Sequence, residues 1–180
     1  MTVLQPATAL STLTQRASHC YNMVDEQRDV FESHRHHIFS VAYYMTGDER
    51  EAETILQSSF VEAFERQARP SIEDLDRALM RELHRRLSFA QVESALGSMD
   101  ASAGLGGRNV RRTDLEEALW QLPSAERLCF LLRDVEGYPA PRVAGLLHTS
   151  EMEVQRTLFS ARVRMRNLLI QARAGDRSDA

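Results

Sequence analysis

The sequence contains no lysine, only two cysteines and a single tryptophan. This composition limits the classes of protein to which the chain can belong. All 22 basic residues are arginine, and they are outnumbered by 26 acidic residues, giving a formal net charge of −4. Any nucleic-acid-binding face must therefore be local, because the molecule as a whole repels polyanions. Cys20 and Cys129 cannot build a disulfide framework, which is typical of a protein from a reducing compartment.

Long apolar runs are also missing. The first 23 residues have no basic start followed by a continuous apolar stretch, and no later run reaches the length of a membrane span. The sequence therefore predicts a cytoplasmic protein without membrane insertion.

Signatures of catalysis and of cofactor binding are equally scarce. We find no glycine-rich phosphate loop, no nucleophile elbow and no paired carboxylates in an evident cleft. His34, His36 and His37 are spaced so that a helix would spread them around its axis, which does not favour a metal site. We expect no catalytic residue, no metal, no cofactor and no enzymatic activity.

What the sequence does contain is helical periodicity, with almost no strand alternation. Apolar residues recur at helical spacing from about Val24 to Met45, after Asp48, and after Ser71. They do so again after Thr113, from Ala125 to Val135, and in a short helix followed by a long one that begins at Ser150. This pattern predicts an all-α fold, and the last pair of helices predicts a helix-turn-helix.

The organisation along the chain is predicted to be two small helical domains on a loose tether. Residues 1–23 are interpreted as a mobile extension, 24–94 as the first domain and 113–173 as the second, with a mobile tail at 174–180. Residues 95–112 contain four glycines and little to bury, which is typical of a flexible linker. The two domains are therefore expected to move independently.

Two stretches resemble the extracytoplasmic-function (ECF) group of bacterial sigma factors. They are "FESHRHHIFSVAYYMTGDEREAETILQSSFVEAF" at 31–64 and "LEEALWQLPSAERLCFLLRDVEGYPAPRVAGLLHTSEMEVQRTLFSARVRM" at 115–165. The resemblance implies that the first domain binds core RNA polymerase and the −10 promoter element. It implies that the second reads the −35 element with its helix-turn-helix.

The resemblance places polymerase contact on Glu53, Gln57 and Phe60, in the segment "AETILQSSF". The following helix lacks the Trp-Leu pair with which family members hold unstacked promoter bases. Acidic residues crowd the start of that helix, so strand opening by this domain is not expected from the sequence.

On the last helix, the resemblance implies DNA contact by six residues: Ser150, Gln155, Arg156, Ser160, Arg162 and Arg164. Ser150 and Glu153 have the spacing of a capping box, which explains the acidic start of this helix but places a carboxylate where phosphate would bind. In the family, the position of Glu153 is commonly Thr, and those of Thr157 and Ser160 are commonly Arg. Binding to promoter DNA is therefore expected to be weak.

Three functions remain open at this point. The first is a sigma factor that binds polymerase and promoter DNA. The second is a degenerate sigma mimic that binds an anti-sigma factor without reading promoters, which the acidic charge favours. The third is a dimeric helix-turn-helix repressor.

Overall fold

A computed structural model of the protein describes residues 7–89 and 111–176, with side chains for 24–89 and 111–172. The described residues form seven α-helices and no strand. The predicted all-α class and the helix-turn-helix are confirmed.

The first half of the molecule (24–89) is a three-helix unit. Helix α1 spans Ala7–Thr46, α2 spans Glu49–Arg66 and α3 spans Ile72–Arg86. Helix α1 ends because Gly47 adopts the left-handed conformation (φ +74°), and its N–H donates to the carbonyl of Tyr43. Asp48 then caps α2, with its carboxylate accepting from the N–H of Glu51 at 2.8 Å.

Helix α3 begins with a complete capping box, in which Ser71 and Asp74 each accept a hydrogen bond from the other's backbone N–H. Apolar side chains of the three helices form a common buried core: Ile38, Val41, Met45, Ile55, Leu75, Leu79 and Leu83.

The second half (111–172) contains α4 at Arg112–Trp120, α5 at Ser124–Phe130, α6 at Ala140–Leu147 and α7, which spans Glu151–Asp176. Helix α5 continues into a π-helical turn at Leu131–Val135, where the N–H of Glu136 donates to the carbonyl of Leu131. This turn was not predicted from the sequence. The buried core of the second half comprises Leu119, Leu122, Leu128, Cys129, Leu131, Leu132, Val143, Val154, Leu158, Ala161 and Met165.

The observed helix boundaries differ from the predicted ones mainly at the start of α1 and at the end of α7. Helix α1 begins at Ala7, well before the expected start near Val24, and α7 continues to Asp176. Of the predicted linker, Arg112 is the first residue of α4 and 95–110 lie outside the described residues. The predicted mobility of 1–23, 95–112 and 174–180 stays a prediction.

The two halves contact each other, whereas the sequence predicted two bodies on a loose tether. Helix α1 packs against α4 and α5, and α3 packs against α6. At one end of this interface, the guanidinium of Arg127 donates hydrogen bonds to the carbonyls of Met45, Trp120 and Leu122. The Trp120 ring lies over Gly47, where an added Cβ would meet the ring at 3.6 Å.

The opposite end of the interface is a polar group that we call the Asp76 cluster: His37, Asp76, Glu136, Tyr138 and Arg142. The Asp76 side chain is fully buried. Its carboxylate oxygens lie 2.7 Å from the Arg142 guanidinium and 2.9 Å from His37 Nε2. His37 Nδ1 lies 2.7 Å from Glu136, and the Tyr138 hydroxyl lies 3.0 Å from His37 Nε2. The cluster thus joins α1 and α3 of the first half to the π-turn and α6 of the second.

Candidate nucleic-acid interface

The helix-turn-helix is built by α6, a tight turn and α7. Helix α6 ends at Leu147, and the next residue, His148, adopts the left-handed conformation (φ 52°). The N–H of Thr149 donates a hydrogen bond to the carbonyl of Ala144. Ser150 then caps α7, with its hydroxyl oxygen accepting from the N–H of Glu153 at 3.1 Å. This bond is one half of the predicted capping box; the Glu153 carboxylate lies 3.4 Å from Arg156.

One face of α7 is open to solvent from its first turn onward. Met152 and Phe159 are 72% and 59% exposed, and Gln155 and Arg156 lie exposed between them. Residues three, four and seven apart share a face of a helix. This face is the part of the second half that could enter a groove of DNA.

The predicted DNA-binding arginines of α7 are each paired with a carboxylate of the same half. Arg162 makes two hydrogen bonds to Asp134, at 2.6 and 2.8 Å, and these bonds raise the pKa of its guanidinium. Arg164 lies 2.9 Å from the buried carboxylate of Glu126. A phosphate would have to compete with these carboxylates for the arginines.

Ser160, predicted to contact DNA, lies inside the second half. It is 6% exposed, and its hydroxyl donates to Glu126 at 2.9 Å. Glu126 therefore joins α5 to α7 through Ser160 and Arg164. Ser160 therefore contributes to packing within the second half, whereas Ser150, Gln155 and Arg156 lie at its surface.

The start of α7 faces the first half across a groove of about 400 Å³. Glu153, Arg156 and Thr157 line one wall, and His84 and Phe89 of the first half line the other. A groove of this volume is the size of a small-molecule pocket and is far too small for a DNA duplex. Approach to this flank of α7 is thus restricted by the first half.

The residues predicted to bind polymerase lie on α2 but do not share one environment. Glu53 and Gln57 are exposed one turn apart, and Val61 continues this face at 58% exposure. Phe60 is 3% exposed and packs edge-to-face on Phe31, with ring centroids 4.9 Å apart. Phe60 is therefore part of the core, and a partner can reach only the exposed face.

Other titratable side chains of the described residues bear on metal binding and on thiol reactivity. Among the described residues, no group of three or more His, Cys, Asp or Glu could hold a metal ion. Burial raises the pKa of the Cys129 thiol to about 11, so it is unreactive. Within the same residues, no helix is long and apolar enough to cross a membrane.

Comparison with known proteins agrees with this geometry. Residues 112–165, which contain α4 to α6 and most of α7, match the family model "Sigma-70, region 4". The fold is similar to that of the sigma factor RpoE, solved in complex with the anti-sigma factor NepR from Bartonella quintana. The TM-score is 0.60 at 16% identity, covering 79% of this chain and 95% of that one. The second half is thus similar to region 4 of sigma-70 factors, and the fold as a whole is similar to that of a sigma factor.

A search of curated protein sequences finds no match for this chain. The family model covers the second half only, so likeness in the first half rests on the fold. Sequence reasoning found the helix-turn-helix and the exposed face of α2 but missed the Asp76 cluster. One signal could have found it, since Asp76 stands beside Leu75 and Leu79 on an otherwise apolar stripe of α3.

Proposed function

We propose that this sigma-factor-like protein binds core RNA polymerase through the exposed face of α2 and promoter DNA through the exposed face of α7. The observation that carries the proposal is the open face of α7 formed by Met152, Gln155 and Phe159, within a segment that matches region 4. A Gln amide can pair with the edge of adenine, and apolar side chains can contact the thymine methyl.

The first half supports the polymerase part of the proposal. Glu53, Gln57 and Val61 form an exposed stripe that combines a charge, an amide and an apolar side chain. Such a mixed surface suits a protein partner better than a nucleic acid. The stripe lies on a helix held rigidly by the buried Ile55 and Phe60.

Two substitutions separate the two binding functions. We expect Gln57→Ala to weaken the complex with core polymerase several-fold, as is typical of an exposed interface residue. Gln155→Ala should leave that complex unchanged and weaken DNA binding by roughly 5-fold or more. Gln171→Ala, an exposed position later on α7, is the control. The measurements are titration with core polymerase and selection of sites from a random-sequence duplex pool.

The outcomes distinguish the alternatives. A wild-type protein without affinity for core polymerase would refute the sigma-factor proposal. A selected DNA motif with twofold symmetry would indicate a dimeric repressor instead.

A second function is favoured by the ion pairs of α7. Because Arg156, Arg162 and Arg164 are already paired, this surface is less suited to DNA than a bare basic helix, and it exposes Met152 and Phe159 to a protein partner. The similar RpoE was crystallised with an anti-sigma factor. If the chain is a sigma mimic, it should capture an anti-sigma protein from its host while failing to bind core polymerase and DNA.

A further inference from the structure

The open face of α7 and its groove-facing flank carry different chemistry. Met152, Gln155 and Phe159 are exposed at i, i+3 and i+7, and they lie outside the lining of the groove against the first half. Arg156 does line that groove, and its guanidinium lies 3.4 Å from the Glu153 carboxylate. The part of α7 that a duplex can approach therefore presents one amide between two apolar side chains.

The arginines farther along α7 are held by carboxylates of the same half. Arg162 donates two hydrogen bonds to Asp134, and Arg164 pairs with the buried Glu126. Both arginines lie about three turns or more after the start of α7, whereas the N-terminal residues of such a helix contact the base edges. An arginine reads guanine by donating two parallel hydrogen bonds to O6 and N7. Arg162 already uses this geometry on Asp134, so neither arginine is placed to read guanine.

The spacing of the open face fits consecutive base pairs. A helix rises about 1.5 Å per residue, so Met152 and Phe159 are about 10 Å apart along the axis, with Gln155 between them. Base pairs stack about 3.4 Å apart, and this distance therefore spans about three base steps. In the major groove, apolar side chains contact the thymine methyl group, and a Gln amide pairs with N6 and N7 of adenine. The three residues thus match a site of about four base pairs that is rich in A·T.

We propose that α7 selects A·T base pairs by contacting thymine methyl groups with Met152 and Phe159 and adenine with Gln155, without reading guanine through its arginines. This inference rests on the proposed DNA-binding function and states which DNA that function selects. Arg156 contributes attraction to phosphate, which adds affinity for any sequence. The sequence preference comes from the methyl groups and the amide.

The first experiment compares duplexes that differ only in methyl groups. A duplex selected by the full chain from a random-sequence pool is resynthesised with deoxyuridine in place of one thymidine at a time, which removes the methyl group and keeps the base pairing. We expect two thymidines, about three steps apart, at which this replacement weakens binding about 4-fold each. Replacement of the other thymidines should leave the affinity unchanged. A selected site dominated by guanine, or one at which no replacement matters, would overturn the inference.

The second experiment assigns each methyl group to a side chain. Phe159→Ala should make one of the two thymidines insensitive to deoxyuridine, and Met152→Ala the other, because the truncated side chain no longer contacts the methyl group. Ile170→Ala truncates another exposed apolar residue of α7, far from the base-contacting turns, and should keep both sensitivities. Circular dichroism checks that these surface variants fold. Wild-type sensitivity at both thymidines in folded Phe159→Ala and Met152→Ala variants would contradict the proposed contacts.

A third variant separates the base preference from DNA binding itself. Arg156→Ala should weaken binding equally to all duplexes and reduce the slope of log affinity against log salt by about one. Loss of a guanine preference in this variant would show that Arg156 reads bases, which would overturn the inference and leave DNA binding standing. A wild-type chain that binds no selected duplex more tightly than scrambled DNA would refute the proposed DNA function, and the base preference with it.

Discussion

At the scale of single residues, the arginines of α7 show how a basic helix can be made less attractive to phosphate. Arg156, Arg162 and Arg164 each have a carboxylate within 3.4 Å, supplied by Glu153, Asp134 or Glu126. The sequence predicted outward cations correctly for Arg156 and Arg162 but gave no indication of their partners. Asp134 and Glu126 lie 28 and 38 residues before the arginines they pair with, beyond the reach of any local pattern.

Two variants of α7 should have opposite consequences. Glu153→Thr with Thr157→Arg removes a carboxylate from Arg156 and adds a cation on a partly exposed face, which should strengthen binding to random duplex DNA about tenfold at low salt. Ser160→Arg would bury a cation beside Arg164 and should destabilise the fold by about 2–3 kcal/mol. DNA titration at two salt concentrations and thermal melting measure the two effects. A Ser160→Arg variant that melts like the wild type would contradict the buried position of Ser160.

At the scale of elements, the sequence predicted what local rules determine. The all-α class, the cap at Ser150 and the helix-turn-helix follow from residue type and spacing, and the structure contains all three. It did not predict the π-turn at Leu131–Val135, because an i+5 backbone pattern has no distinct apolar period. That turn brings Glu136 and Tyr138 to the Asp76 cluster, so a local irregularity determines a long-range contact.

The turn of the helix-turn-helix carries strain that can be relieved. His148 adopts a left-handed conformation that glycine tolerates at no steric cost. We expect His148→Gly to stabilise the protein by roughly 0.5–1 kcal/mol, a rise in melting temperature of about 1–4 °C. Gly145→Ala is a useful companion, because an added Cβ meets nothing within 4 Å and alanine favours the helix. A lower melting temperature for His148→Gly would show that the imidazole makes a stabilising contact.

At the scale of the whole molecule, the sequence predicted two helical units but not the contacts between them. The pairs that join them are separated by 66 residues for Arg142 and Asp76 and by 99 for His37 and Glu136. No periodicity or cap relates residues so far apart. The arrangement of the halves could therefore come only from the structure.

Closure of the halves should depend on pH. Burial alone would lower the pKa of His37, but hydrogen bonds to Asp76 and Glu136 outweigh burial and raise it to about 9. Because Asp76 belongs to the same half as His37, separation removes only the contacts with Glu136 and Tyr138, and the pKa of His37 falls part of the way toward 6.5. The contribution of His37 to closure is present below the pKa of the separated state and is lost as the pH rises through about 9.

Energy transfer between dyes attached to Arg69→Cys and Glu151→Cys, one exposed position on each half, tests this dependence in a Cys20→Ser background. Energy transfer in the wild type should decrease between pH 7 and pH 10. Tyr138 does not interfere, because burial and the nearby Asp76 charge raise its pKa further still. His37→Gln, neutral throughout, should show a flat profile. An identical decrease in both proteins would assign the titration to another group.

The Arg127 contacts hold the far end of the interface and determine how the two halves would separate if the contacts of the Asp76 cluster were lost. Arg127 binds backbone carbonyls of both halves, and the Trp120 ring lies over Gly47, so hydrogen bonds to the backbone and ring packing hold this end. Salt and pH, which loosen the Asp76 end, act only weakly on such contacts. The two halves should therefore separate by rotation about a hinge at Gly47 and Trp120. The helix-turn-helix would then move along an arc, and the distance between any DNA site it reads and the partner of α2 would increase with the opening angle.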